Sequence, residues 1–122
     1  MKTVFIDVLN QKVKTLDIEN ELEVFYELIN CRTIDMTMRK IGGKPYVIIC
    51  DDEGLLTDAP ILSAVDQNVE PMLVGNLIIV NDGKDGDITG LTEEDIKSIL
   101  NNLYEIPTRQ RPDGQVMLVC EY

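Results

Sequence analysis

The chain reads as an α+β domain: a mainly antiparallel sheet of about six strands with two amphipathic helices on one face. Apolar residues alternate with polar ones in short runs along most of the sequence, the period of half-buried strands. Two segments instead repeat apolar residues at i, i+3, i+4 and i+7, the stripe of a helix lying on a sheet. Neither has a second apolar face, so a single helical layer is the economical arrangement. The 122 residues suit one globular domain, 1–122, in which 107–115 form a polar connection to a C-terminal strand.

In chain order, Val4, Ile6 and Val8 alternate with Thr3, Phe5, Asp7 and Leu9, and Lys12 to Ile18 alternate again; Asn10 and Gln11 between them predict a hairpin. Asn20, with Glu23 three residues on, predicts a variant capping box opening a helix from Glu21 to about Asn30. Its stripe is Leu22, Phe25, Tyr26 and Ile29. Arg32 to Arg39 alternate strictly and predict a strand with one wet face, and Gly42–Gly43 turn the chain back.

Tyr46 to Cys50 is an uncharged apolar run, the expected centre of the sheet, entered through Pro45. It runs into Asp51, Asp52, Glu53 and Gly54, which must form a solvated turn because adjacent carboxylates are not buried together without neutralisation or a metal. A loop with Thr57, Asp58 and Pro60 leads to a short helix from Ala59 to Val65. Met72 to Val80 predicts an apolar strand in which Gly75–Asn76 mark a bulge or a close backbone approach. After a glycine-aspartate loop from Asn81 to Gly90, Thr92 and Asp95 cap a second helix with the stripe Ile96, Ile99, Leu100 and Leu103, ending at Pro107. Gln115 to Cys120 closes the same sheet.

The chain contains no histidine, which removes Ser-His and Cys-His nucleophiles and every His-containing zinc site. Its serines, Ser63 and Ser98, stand outside any nucleophile motif, so no enzyme and no cofactor is expected. Cys31, Cys50 and Cys120 are far apart in apolar surroundings and read as reduced core residues. Met1 and Lys2 lead straight into a strand pattern and no apolar run approaches the ~18 residues of a membrane span, so the expected location is the cytoplasm, without membrane contact. A net charge of −11 opposes direct binding to nucleic acid and favours a basic protein partner.

Two groups of residues carry the candidate contacts. The acidic ones are Asp51, Asp52 and Glu53, Asp82, Asp85 and Asp87 in the glycine-aspartate loop, and Glu93 and Glu94 at the second helix. The basic ones, Arg39, Lys40 and Lys44 with Arg109 and Arg111, would hold the phosphates of a nucleotide ligand. The loop Asn81–Thr92 imitates a calcium-binding EF-hand, but aligned on Gly86 it has Gly83 at the third position and Thr92 at the twelfth, where oxygen ligands are needed. Three consecutive carboxylates at 51–53 point in different directions, which is poor geometry for magnesium, and no metal site is assigned.

The blocks LDIENELEVFYELINC, YVIICDDEGLL, MLVGNLIIVN and LTEEDI, in that order, resemble an uncharacterised small-domain family of phages, plasmids and conjugative elements, the domain of unknown function 3846. The likeness covers roughly residues 1–105; the tail beyond Pro107 lies outside it, and Leu55 stands after Gly54 where much of the family has a basic residue. The resemblance implies an accessory role on a mobile element, as a counter-defence inhibitor that binds a basic host protein. A CRISPR nuclease, engaged by an acidic, DNA-mimic-like surface, is one such target. The alternatives are a homo-oligomer that sequesters a nucleotide signal and, below it, a carboxylate-metal hydrolase.

Overall fold

The computed structural model describes residues 1–56 and 59–122 and arranges them in three layers. The middle layer is the expected mainly antiparallel sheet of six strands. β1 (Lys2–Asp7) and β2 (Lys12–Asp17) form the predicted hairpin, and β3 (Ile34–Ile41) and β4 (Lys44–Asp51) a second one through Gly42–Gly43. With β7 (Leu77–Asp82) the strand order is β2-β1-β7-β4-β3, and the two-residue β8 (Ile88–Thr89) pairs with β7. The central strand is therefore β7, with Tyr46–Cys50 of β4 beside it rather than at the centre.

β4 and β7 are apolar at successive positions, so both faces of this sheet need cover. α1 (Leu22–Ile29) lies on one face, where Phe25 and Ile29 pack on Val47, Ile49, Ile78 and Val80. On the other face Tyr46, Ile48, Leu77 and Ile79 meet Ile96 and Ile99 of α2 (Glu93–Leu100). The helices thus lie on opposite faces, not on one.

A second sheet completes the α2 side: β6 (Pro71–Val74), β5 (Leu62–Val65), β10 (Gln115–Val119) and β9 (Leu103–Ile106), in that order. Several sequence expectations give way here. Leu62–Val65 is a strand rather than a helix, and Thr57–Asp58 of the preceding loop lie outside the described residues. The run Met72–Val80 is two strands in different sheets; Gly75, at φ +78°, turns the chain between them, a conformation without steric penalty for glycine. The closing strand β10 joins the second sheet, parallel to β5, and Leu118 in it and Cys120 just after it are buried against the first.

Local chemistry explains the helix ends. Thr92 and Asp95 form the expected capping box, with Asp95 N–H donating to Thr92 Oγ1 at 3.1 Å and Thr92 N–H to Asp95 Oδ2 at 2.9 Å. α2 stops at Leu100, short of Pro107, as Asn102 Nδ2 donates to the Ser98 carbonyl at 2.8 Å and Leu103 enters β9. α1 begins one residue later than its predicted cap: Glu21 is the N-cap, with no side-chain bond, and Asn20 caps nothing. No helix among the described residues is long and apolar enough to cross a membrane.

The loop after β7 is tightened by Gly83, whose N–H donates to the Asp87 carbonyl at 2.6 Å. A Cβ at Gly83 would run into that same carbonyl oxygen. Gly83→Ala should lower unfolding free energy by about 1–3 kcal/mol, against no more than about 0.5 kcal/mol for the exposed Asp85→Ala. Urea denaturation of the two variants checks this.

Candidate binding site

Where β4 leaves the sheet, Asp51 Oδ1 accepts the Glu53 N–H at 2.9 Å and closes an Asx turn. The chain then makes one 3₁₀ turn, Gly54–Leu56, that leaves Leu55 76% and Leu56 78% exposed. Gly54 is buried with Val74 pressed against it, where a Cβ would lie 2.9 Å from Val74 Cγ2. That close approach brings β6 alongside the end of β4 and opens a cleft of about 520 Å³ between them. Leu62, Met72, Leu73 and Val74 give it apolar walls together with the two exposed leucines, and Asp35, Asp51 and Asp52 stand on it as carboxylates.

The carboxylates at 51–53 do not stand as three free charges. Glu53 is engaged by Arg32 Nη2 at 3.3 Å and by Thr33 Oγ1 at 3.2 Å, and the Asp52 N–H donates to the Thr33 carbonyl at 3.2 Å. Asp35, from β3, was not among the predicted contacts and joins Asp51 and Asp52 at the cleft. Asp82, Asp85, Asp87, Glu93 and Glu94 are exposed at the other end of the sheet. β4 spans eight residues, so roughly 23 Å separates the two acidic groups, and they do not form one surface. Among the described residues no three His, Cys, Asp or Glu side chains gather as a metal site would require.

The basic residues are also divided. Arg39 donates through Nη1 to Thr37 Oγ1 at 2.6 Å and to the Met38 carbonyl at 2.7 Å, with its guanidinium 4.6 Å from the Tyr122 ring centroid. Lys44 Nζ is bound to Asp95 Oδ1 at 2.7 Å, and Lys40 pairs through its backbone with Glu121. Arg109 and Arg111 are exposed in the connection before β10, where the Arg111 N–H donates to Thr108 Oγ1. Of the hairpin cations, the Arg39 and Lys44 side chains are engaged within the fold, while Lys40 is held through its backbone and keeps an exposed side chain.

The strongest polar cluster is one that the sequence reading treated as a cap alone. Asp95 is 4% exposed and accepts four bonds: from Lys44 and the Tyr46 hydroxyl at Oδ1, and from Asn81 Nδ2 and the Thr92 N–H at Oδ2. Burial by itself would raise this carboxyl. The Lys44 ammonium, then the Thr92 amide, Asn81 and Tyr46, outweigh it and hold Asp95 well below the usual carboxylate range. Burial, then the bond to Asp95, pushes the Tyr46 phenol well above its ordinary value. The cluster ties β4, β7 and α2 together, and each Asp95 oxygen accepts two bonds within it.

The cleft also holds a buried thiol. Burial, with Asp35 next, pushes Cys50 up to about 11, so it stays a neutral thiol on the cleft floor. Burial likewise raises Cys120 to about 11; all three cysteines are free thiols, and Cys50 and Cys120 are buried as expected, whereas Cys31 is only half-buried.

A family model described as domain of unknown function (DUF3846) matches residues 1–104. The chain belongs to this family. No curated protein and no solved structure matches it. The DUF3846 match holds the whole first sheet, both helices, the acidic corner and the β5–β6 side of the cleft. It ends inside β9, so β10, which lies between β5 and β9, comes from beyond the matched residues.

Proposed function

We infer that this DUF3846 chain is a non-enzymatic binding protein that captures a basic, amphipathic segment of a protein partner in the cleft beside Asp51 and Asp52. The observation that carries this reading is the pairing of apolar walls with a rim of carboxylates, next to two leucines left in solvent. Exposed leucines gain by burial, about 25 cal/mol per Å², and carboxylates favour cations from a distance. In the counter-defence setting that the family resemblance suggests, the partner is a basic host effector such as a nuclease. The division of the acidic residues between two ends favours capture of one segment in a cleft over mimicry of a long DNA surface.

A synthetic peptide alternating leucine and lysine is a suitable probe, with NMR shifts as the readout. Binding should perturb Leu55, Leu56 and Met72 and weaken at least about tenfold between low and near-molar salt. Asp52→Lys, which keeps the backbone bond to Thr33, should weaken it similarly, and Leu56→Ser should do so without changing the salt dependence. Perturbations mapped elsewhere, or affinity indifferent to both salt and Asp52→Lys, would sink the reading.

A further inference from the structure

β3 ends the first sheet, and its outer side is an edge. Pro45, which has no N–H, stands opposite Lys40, so Lys40 turns its backbone groups outward; both are taken by Glu121, at 2.7 and 2.9 Å. At a period of two, Ile34, Met36 and Met38 also aim their N–H and C=O groups outward. Glu121 and Tyr122 cover the Lys40–Arg39 end, and β3 itself begins at Ile34, Thr33 before it turning its carbonyl inward to the Asp52 N–H. What remains is the run Ile34–Met38, centred on Met36.

Edges are normally blunted by lysine, proline or a bulge. β2, at the opposite side of the sheet, carries Lys12 and Lys14. Ile34–Met38 carries none of these, and its Met36 and Met38 are 45% and 47% exposed because α1 packs over β4 and β7 and leaves β3 uncovered.

We propose that this edge receives a second copy of the chain, the two β3 strands pairing antiparallel about a two-fold axis at Met36. The run is symmetric about a residue whose backbone groups point outward, so an identical strand matches it along its length, the Met38 carbonyl sharing its second lone pair with the partner's Ile34 N–H beside the bond it accepts from Arg39 Nη1. Met36 meets the partner's Met36, and Ile34 meets the partner's Met38, each pair exchanging two hydrogen bonds and stacking apolar side chains. On the other face Asp35 stands opposite the partner's Thr37 and diagonal to the partner's Arg39, within reach of a long side chain. Arg39 Nε is buried without an acceptor in the single chain, and a carboxylate arriving there supplies one, twice by symmetry. The segment 32–41 has Arg32, Arg39 and Lys40 against Asp35 alone, so this basic stretch escapes the self-repulsion of a chain of net charge −11.

Sedimentation velocity on the full chain across a concentration series should show the mass double from 13.8 kDa. Met36→Lys, which sets two lysines against each other, should abolish the doubling and keep the thermal melt. Met36→Cys treated with a disulfide oxidant such as oxidised glutathione should form a covalent dimer, since self-opposed residues of a hydrogen-bonded pair have Cα atoms about 5.5 Å apart, inside the disulfide range of about 4.4–6.8 Å. Thr37→Cys, opposite the partner's Asp35, should cross-link at least ~tenfold more slowly. Asp35→Arg and Arg39→Asp should each weaken the dimer, and their combination should restore it. A wild-type mass of 13.8 kDa throughout overturns the proposal, as does equal cross-linking at 36 and 37, or a foreign peptide that pairs with β3 of a chain that stays monomeric.

Discussion

Asp95→Ala should lower the unfolding free energy by about 2–4 kcal/mol, the cost of leaving Tyr46, Asn81 and the Thr92 amide without their shared acceptor in a buried site. In a thermal melt that amounts to a fall of roughly 10 °C or more. The neighbouring Glu94, exposed and outside the cluster, should tolerate alanine within about 0.5 kcal/mol. Lys44→Met should cost less than Asp95→Ala, because the ammonium is half exposed and its loss leaves the carboxylate three other donors.

The same cluster sets an acid limit. The folded Asp95 carboxyl is depressed below its usual 3.8, so its contribution to stability is complete above that value and is lost as pH falls below it toward the folded pKa. The unfolded chain takes up the proton first. Asp95→Asn removes this linkage, so the stability gap between wild type and Asp95→Asn should be constant near neutrality and narrow below about pH 4. A gap that stays constant through that window would show that Asp95 is not held ionised by its partners.

Phe25→Ala should be at least as damaging, at about 3–5 kcal/mol, since Phe25 is fully buried on Val47, Ile49, Ile78 and Val80 and anchors α1 to the sheet. An eight-residue helix is marginal without its tertiary contacts, so hydrogen exchange should accelerate most in α1. Because α1 and α2 sit on opposite faces of the sheet, the mild pair Phe25→Leu and Ile99→Val should add within about 0.5 kcal/mol. Strong coupling between them would argue for one shared helical layer.

The hairpins, the period of each strand and the α2 cap were legible because they are local. Asn10–Gln11, Gly42–Gly43 and Thr92–Asp95 act within a few residues of themselves, and alternation in β1 to β3 needs nothing beyond the strand. The acidic turn at 51–53 followed from charge alone. Tertiary packing decided the rest. Unbroken apolar runs such as Val47–Cys50 and Leu77–Val80 say that both faces are covered, but not by what, and here α1 takes one face while α2 and a second sheet take the other. Gly75 looks the same in sequence whether it makes a bulge or a switch between sheets.

The site shows the same division. Asp51 and Asp52 were legible from sequence only as charges that must face water, whereas the cleft beside them exists because β6 closes on Gly54, and Asp35 joins it from the neighbouring strand. Asp95 was readable as a cap but not as a buried acceptor, since Lys44 and Tyr46 reach it from 51 and 49 residues away. The sequence by itself determined the α+β class, the strand periods and where charge must face water, because those depend on neighbours along the chain. Which strands share a sheet, which face each helix covers and which carboxylates meet were decided only in the tertiary structure, where burial of both faces of β4 and β7 outweighs any local preference.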